Sequence, residues 1–351
     1  MTEGIYTQLR EFMDKMPGGY PATESGIEIR ILKRLFSPDH AALMLKLKTV
    51  YEEASTIAQR IGMDMAKAEE ELEDMAQCGL IFRLREGEKA MYRPISFVVG
   101  VFEFQLYRLD RELAEMYVEY APHLGLPLAL LENKQLRVAP VNSAVEVTHA
   151  VATYNKVRAF VKDQNLIAMT PCVCRKNARL MGNGCDKPEE MCFSFGPYAQ
   201  FIIDNNLGRK LSQDEALKYL ELAEDSGLVL SPSNSQNLAF LCCCCKCCCG
   251  IITGIKLLPN PASYFVTDYQ SHIDRESCTT CGNCLDRCPM DAIKENDGAM
   301  DVNPERCIGC GLCISACPVE AIKLVEKEHP RIPPKEFDEL LEKMSVERGL
   351  A

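Results

Sequence analysis

Cys278-Thr-Thr-Cys281-Gly-Asn-Cys284-Leu-Asp-Arg-Cys288-Pro289 and Cys307-Ile-Gly-Cys310-Gly-Leu-Cys313-Ile-Ser-Ala-Cys317-Pro318 write one pattern twice, C-x-x-C-x-x-C-x-x-x-C-P. The likeness continues into Met290-Asp291-Ala292-Ile293 and Val319-Glu320-Ala321-Ile322, so the two stretches read as an internal duplication. Zinc knuckles use two C-x-x-C pairs or mixed Cys/His pairs, not two four-cysteine runs each closed by Cys-Pro. Gly282, Gly309 and Gly311 lie inside the loops, where a missing Cβ lets the backbone come close to inorganic sulfide.

Over residues 270 to 328 the chain resembles the two-[4Fe-4S] bacterial ferredoxins, which carry this spacing twice. The resemblance implies an exchange of ligands between the halves. One cluster takes Cys278, Cys281, Cys284 and Cys317; the other takes Cys307, Cys310, Cys313 and Cys288. The proline after each fourth cysteine cannot donate a ladder hydrogen bond and redirects the chain. The module is expected to handle electrons.

The whole chain has 351 residues, enough for two or three domains with a real core. Hydrophobic content of 47% and charged content of 25% are those of an ordinary globular protein. No run of about 18 apolar residues occurs, so no membrane span is expected. The start, Met1 to Tyr6, has no basic segment followed by an apolar core, so no secretory signal is expected. Twenty cysteines without an export signal read as metal ligands in a reducing cytoplasm rather than as disulfides. The net charge is -11, and residues 274 to 328 carry eleven acidic against six basic side chains. That balance disfavours nucleic acid as the module's partner. It fits either docking on a basic patch of a redox partner protein or a face kept acidic for solubility.

Toward the N-terminus, apolar residues at 27, 31, 32 and 35 have helical spacing, and Ser37-Pro38 marks the next helix start. Glu52 to Ile61 reads as a third helix and Met65 to Gln77 as a fourth. Leu80 to Leu84 and Ala90 to Pro94 flank a Glu-Gly-Glu turn as a hairpin. Over residues 24 to 96 this order resembles a winged-helix domain. The Met65 to Gln77 helix, with Asp64 before it, carries Asp64, Glu69, Glu70, Glu71, Glu73 and Asp74 against Lys67, which would repel phosphates. A protein-contact or homodimer role is expected, and DNA binding is not. Phe97 to Tyr120 reads as one long amphipathic helix, core or dimer seam, with Pro122, Gly125 and Pro127 marking a boundary. Cys78 reads as a buried thiol.

The middle of the chain holds the least ordinary stretch. Cys172, Cys174, Cys185 and Cys192 are followed by Cys242 to Cys249, seven cysteines in eight positions broken by Lys246. A further metal site is expected from Cys172, Cys174, Cys185, Cys192, Cys242, Cys244, Cys245, Cys248 and Cys249, since so many adjacent free thiols would be reactive. If the run is helical, Cys242, Cys245 and Cys249 share one face, and Cys244 and Cys248 another. The site is read as one further iron–sulfur cluster, in a set large enough for one or two, with structural zinc or a dithiol relay as alternatives. A C-x-C-R segment, a cysteine-rich run and a C-terminal ferredoxin together resemble iron–sulfur proteins of anaerobic bacteria.

The fold class is therefore α+β and multidomain. A winged-helix-like unit with its long helix covers 1–121 and a mixed cysteine-rich unit 122–268. The ferredoxin unit covers 269–328, and an amphipathic helix 329–351 uses Phe337, Leu340, Leu341 and Met344. No dinucleotide or P-loop motif is present, and His40, His123, His149, His272 and His329 show no ligand spacing. No catalytic residue is assigned. Three roles follow: an electron-transfer component of an oxidoreductase system, a reductase with a catalytic centre in the middle unit, or a redox-sensing regulator.

Overall fold

Ser37 accepts a hydrogen bond from the His40 amide at 3.1 Å, and Pro38 follows it, so the Pro38–Met44 helix starts where the sequence marks it. The structure is a computed structural model that describes residues 2–147, 156–328 and 331–350. His149, His329 and the first residues of the helix expected from Ala152 lie outside them; Val157–Lys162 is helical. Helices Ile27–Leu35, Pro38–Met44, Ala54–Ile61 and Met65–Gln77 precede a hairpin of β2 (Ile81–Glu86) and β3 (Lys89–Pro94). Glu52 and Glu53 are not helical, contrary to the periodicity. They form strand β1, which pairs with Tyr92 and Met91 and satisfies its backbone on β3.

The helix expected over Phe97–Tyr120 is broken. Buried Gln105 donates to the carbonyls of Cys78 and Val101, both at 3.1 Å, and holds the chain in a turn. Asp110 then caps a new helix, Arg111–Leu130, by accepting from the Leu113 amide at 2.9 Å. This helix continues through Pro122 and Pro127, where a boundary was expected. Each proline frees the carbonyl four residues earlier, of Val118 and His123. Both residues are exposed, so water can take those carbonyls. Leu113, Met116, Tyr117 and Tyr120 are buried inside the chain rather than offered as a seam to a second copy.

The middle of the chain builds a five-stranded antiparallel sheet, ordered β6 (Arg209–Leu211), β4 (Ile167–Pro171), β5 (Glu190–Phe195), β8 (Phe240–Cys244) and β7 (Val229–Pro232). Cys242, Cys243 and Cys244 are thus on a strand, not a helix. The reason is their neighbours: β5 and β7 take up the backbone of β8 on both sides, with Cys192 opposite Cys242 and Val229 opposite Cys244. In the C-terminal module β9 (Tyr269–Ile273) pairs with β12 (Ile322–Glu326), and β10 (Ile293–Asn296) with β11 (Ala299–Val302). One hydrophobic core runs from Phe193 and Leu241 of the sheet into Tyr269, Met290, Ile308 and Leu312 of that module.

The N-terminal part is bound to the sheet domain as well. Arg83, 2% exposed, pairs with Glu73 and donates to Asn205 at 2.9 Å, while the Phe82 ring stacks on Phe201 with centroids 4.9 Å apart. The C-terminal helix Phe337–Glu347 closes the same joint. Phe337 meets Tyr198 and Phe240 edge-on, and Arg93 donates to Asp338 at 2.6 Å.

Candidate metal centres

The duplicated runs fold alike. Thr280 and Gly309, Gly282 and Gly311, and Asp291 and Glu320 hold matching places in the two copies, and all six adopt positive φ. Each pair turns the chain the same way, so two equivalent loops face each other across the module. Cys278, Cys281, Cys284 and Cys317 line one cavity of about 310 Å³, open mouth included. Cys288, Cys307, Cys310 and Cys313 line a second of about 320 Å³. In each case the fourth cysteine comes from the other run.

Backbone amides are aimed at these sulfurs. Ala292 donates to Cys288 at 3.2 Å and Ala321 to Cys317 at 3.3 Å, again at matching positions. Ser271 on β9 donates its amide to Cys307 at 3.3 Å, and its hydroxyl lies 3.2 Å from the Cys313 sulfur. Burial pushes the thiols of Cys284, Cys288 and Cys310 up, and that of Cys313 to about 12. A bound cation would reverse this, because ligation stabilises the thiolate. Cys281 is exposed, whereas all four cysteines of the second cavity are buried. The second cavity also abuts the middle domain: the Val141 amide donates to the Cys310 carbonyl at 3.0 Å.

The middle-domain cysteines fall into two groups. The sulfurs of Cys185, Cys245, Cys247 and Cys248 all lie within 4.8 Å of one another. A tetrahedral ion with metal–sulfur bonds of about 2.3 Å sets its ligands roughly 3.8 Å apart, so this quartet suits one metal ion. Sequence reasoning omitted Cys247, because on a helix it would share a face with neither of the two groupings. The tight turn at residues 246–248 brings it in beside Cys248, sulfur to sulfur 3.9 Å. Lys246 at the same turn donates to the Asp286 carbonyl at 2.8 Å, between Cys284 and Cys288 of the C-terminal module.

Cys172, Cys174, Cys192, Cys242, Cys244 and Cys249 make up the other group. Cys172 is held well below its ordinary value by hydrogen bonds from Cys174 and Cys192. Cys244 is lowered likewise by Cys242 and Cys249. Cys243 points to the opposite face of β8 from Cys242 and Cys244. Cys78 stands apart at the end of the Met65–Gln77 helix, half-buried. Among the described residues no histidine joins a metal-binding group; His40 instead meets Asp74 at 3.1 Å and Glu71 at 3.6 Å. Among them too, no helix is long and apolar enough to cross a membrane.

No curated protein and no solved structure matches the chain. Residues 271–324 match the family model of the 4Fe-4S dicluster domain, which makes the C-terminal module a ferredoxin-like iron–sulfur domain.

Proposed function

We propose that this chain is an iron–sulfur electron-transfer protein. Low-potential electrons pass through two [4Fe-4S] clusters of the C-terminal module, ligated by Cys278, Cys281, Cys284 and Cys317 and by Cys307, Cys310, Cys313 and Cys288. The observation that carries this reading is the sorting of eight sulfurs into two cavities with crossed fourth ligands. When bound, each cluster supplies a one-electron donor and acceptor. The chain supplies the surroundings: the amides of Ala292, Ala321 and Ser271 stabilise charge on sulfur and so tune the potential.

The partner is a redox protein with a basic docking surface. Asp274, Glu276, Asp286, Glu295, Asp297 and Glu320 are exposed on the same module as exposed Cys281. A second reading has a specific observation in its favour. The buried second quartet abuts the middle domain, and Lys246 ties the cysteine run to Asp286. Electrons entering at the exposed cavity would then move inward, to a metal centre at Cys185, Cys245, Cys247 and Cys248 that could act as a reductase site.

The N-terminal unit over 24–96 is proposed as a winged-helix-like protein-contact module rather than a DNA reader or regulator. Asp64, Glu69, Glu70 and Asp74 are exposed on the Met65–Gln77 helix and its cap, and Glu73 is spent on Arg83. One ionic-strength series tests both ideas. Electron transfer from the reduced protein to a small basic redox protein is expected to slow with added salt. It should also slow about tenfold or more in an E276Q/D286N/E295Q variant. Mixed-sequence duplex DNA is expected not to bind below micromolar at ~150 mM salt. Rates indifferent to salt and to the variant would count against the docking face, and tight DNA binding against the contact-module reading.

A further inference from the structure

Four separate segments bring six sulfurs together beside the Cys185 quartet. Cys172 and Cys174 sit at the start of the Val173–Leu180 helix, directly after β4. Cys192 on β5 faces Cys242 on β8, and Cys244 shares the face of Cys242. Cys249 caps the Gly250–Ile255 helix. Hydrogen bonds link Cys174 to Cys172, Cys172 to Cys192, Cys192 to Cys242, Cys242 to Cys244 and Cys244 to Cys249, and Cys249 and Cys244 lie within electrostatic reach of Cys174. The six thiols therefore form one connected group.

This group of six differs from the quartet in spacing. Among the described residues, no three of its sulfurs lie within 4.8 Å of one another. A single tetrahedral ion needs its ligands roughly 3.8 Å apart, so no one ion spans three of these thiols as they stand. A cluster does better, because iron and sulfide lie between its thiolates and spread them.

A second observation points the same way. Arg175 is 2% exposed, and only its Nη2 has a protein partner, the Cys243 carbonyl at 2.8 Å. Nε and Nη1 are buried with no protein acceptor. Cys172, Cys245, Cys192 and Cys244 lie within electrostatic reach of the guanidinium. A buried cation with unspent donors is costly unless an anion receives them. A disulfide would not serve, being neutral. Directly opposed antiparallel residues such as Cys192 and Cys242 also keep their Cβ atoms about 4.5–5.5 Å apart, wider than the ~3.8 Å mean of a disulfide.

We propose that Cys172, Cys174, Cys192, Cys242, Cys244 and Cys249 bind a polynuclear iron–sulfur cluster, separate from the Cys185 site, with Arg175 as its counter-cation and hydrogen-bond donor. Arg175 also lies near Cys245, so one positive charge serves both middle-domain centres. The proposal does not depend on the electron-relay reading, since signals of the C-terminal module are scored separately.

The test uses the full chain, isolated and reconstituted anaerobically with ferrous iron and sulfide. Iron, sulfide, zinc and EPR spectra are measured for the parent, C192A/C242A, C185A/C248A, R175M and R175K. The parent is expected to hold iron and sulfide beyond two cubanes. C192A/C242A should lose that excess and its EPR feature while keeping the signals of the C-terminal module; C185A/C248A should retain it. R175M should move the midpoint potential of that feature to more negative values, and R175K should restore most of the shift. Native mass spectrometry and alkylation mapping of the unmodified parent give a readout that needs no variant: the six thiols should be protected together. Iron and sulfide unchanged in C192A/C242A, zinc alone at the six thiols, or six freely alkylated thiols would overturn the proposal.

Discussion

Cys317→Ala is expected to empty the cavity lined by Cys278, Cys281 and Cys284 and to spare the one lined by its own sequence neighbours, Cys307, Cys310 and Cys313. Cys317 lines the first cavity only, and Cys288, from the first run, lines the second. A cubane that loses one of four thiolates exposes an iron to solvent. The expected loss is about half of the C-terminal module's iron, one EPR component of two, and new alkylation at Cys278, Cys281 and Cys284. Cys288→Ala should show the mirror pattern. Alkylation at Cys307, Cys310 and Cys313 in the Cys317 variant would mean that each run closes its own site.

Gly309→Ala should be far more damaging than Gly282→Ala, although both glycines have positive φ, 64° and 80°. The backbone strain is common to both, about 1–2 kcal/mol per left-handed residue. The surroundings differ. A Cβ on Gly282 would meet only Leu285, at 3.8 Å, whereas one on Gly309 would overlap the Tyr269 carbonyl. Gly311 is confined in the same way by the Ala144 Cβ. Overpacking adds about 1–3 kcal/mol, and here the obstacle to Gly309 is strand backbone that cannot swing aside. The Gly309 variant should lose its visible cluster absorbance at markedly lower denaturant than the Gly282 variant. Equal midpoints would show that the second loop is not pressed against β9 and the middle domain as described.

That asymmetry between two copies with one sequence pattern marks where the sequence stopped being informative. The cysteine spacing carries the resemblance that implies the crossed pairing, and the two cavities are lined in that crossed way. It says nothing about which loop faces solvent; that depends on the contacts of Val141 and Ala144 with the second run. The cysteine run shows the same limit more sharply. Helix and strand are told apart by the period of unlike residues, and seven cysteines have no period. What makes β8 a strand is Phe193 and Leu230 on the neighbouring strands, opposite Leu241 and Cys243. Cys247 was passed over for that reason, and the burial of Arg175 has no local signature, since an arginine beside two cysteines reads as surface. Pro122 and Pro127 misled in the other direction, because a helix tolerates proline where the freed carbonyl faces water.

We propose that this chain holds redox-active iron–sulfur clusters in its C-terminal module and passes electrons through them. Potentiometric EPR on the anaerobically purified full-length protein tests it most directly. Two reducible [4Fe-4S] centres should appear, coupled to each other because their cavities share one small module, with sulfide and iron in matching amounts. A protein whose eight C-terminal cysteines are saturated with zinc, and which gives no EPR signal on reduction, would mean that the module is a structural zinc site and carries no electrons.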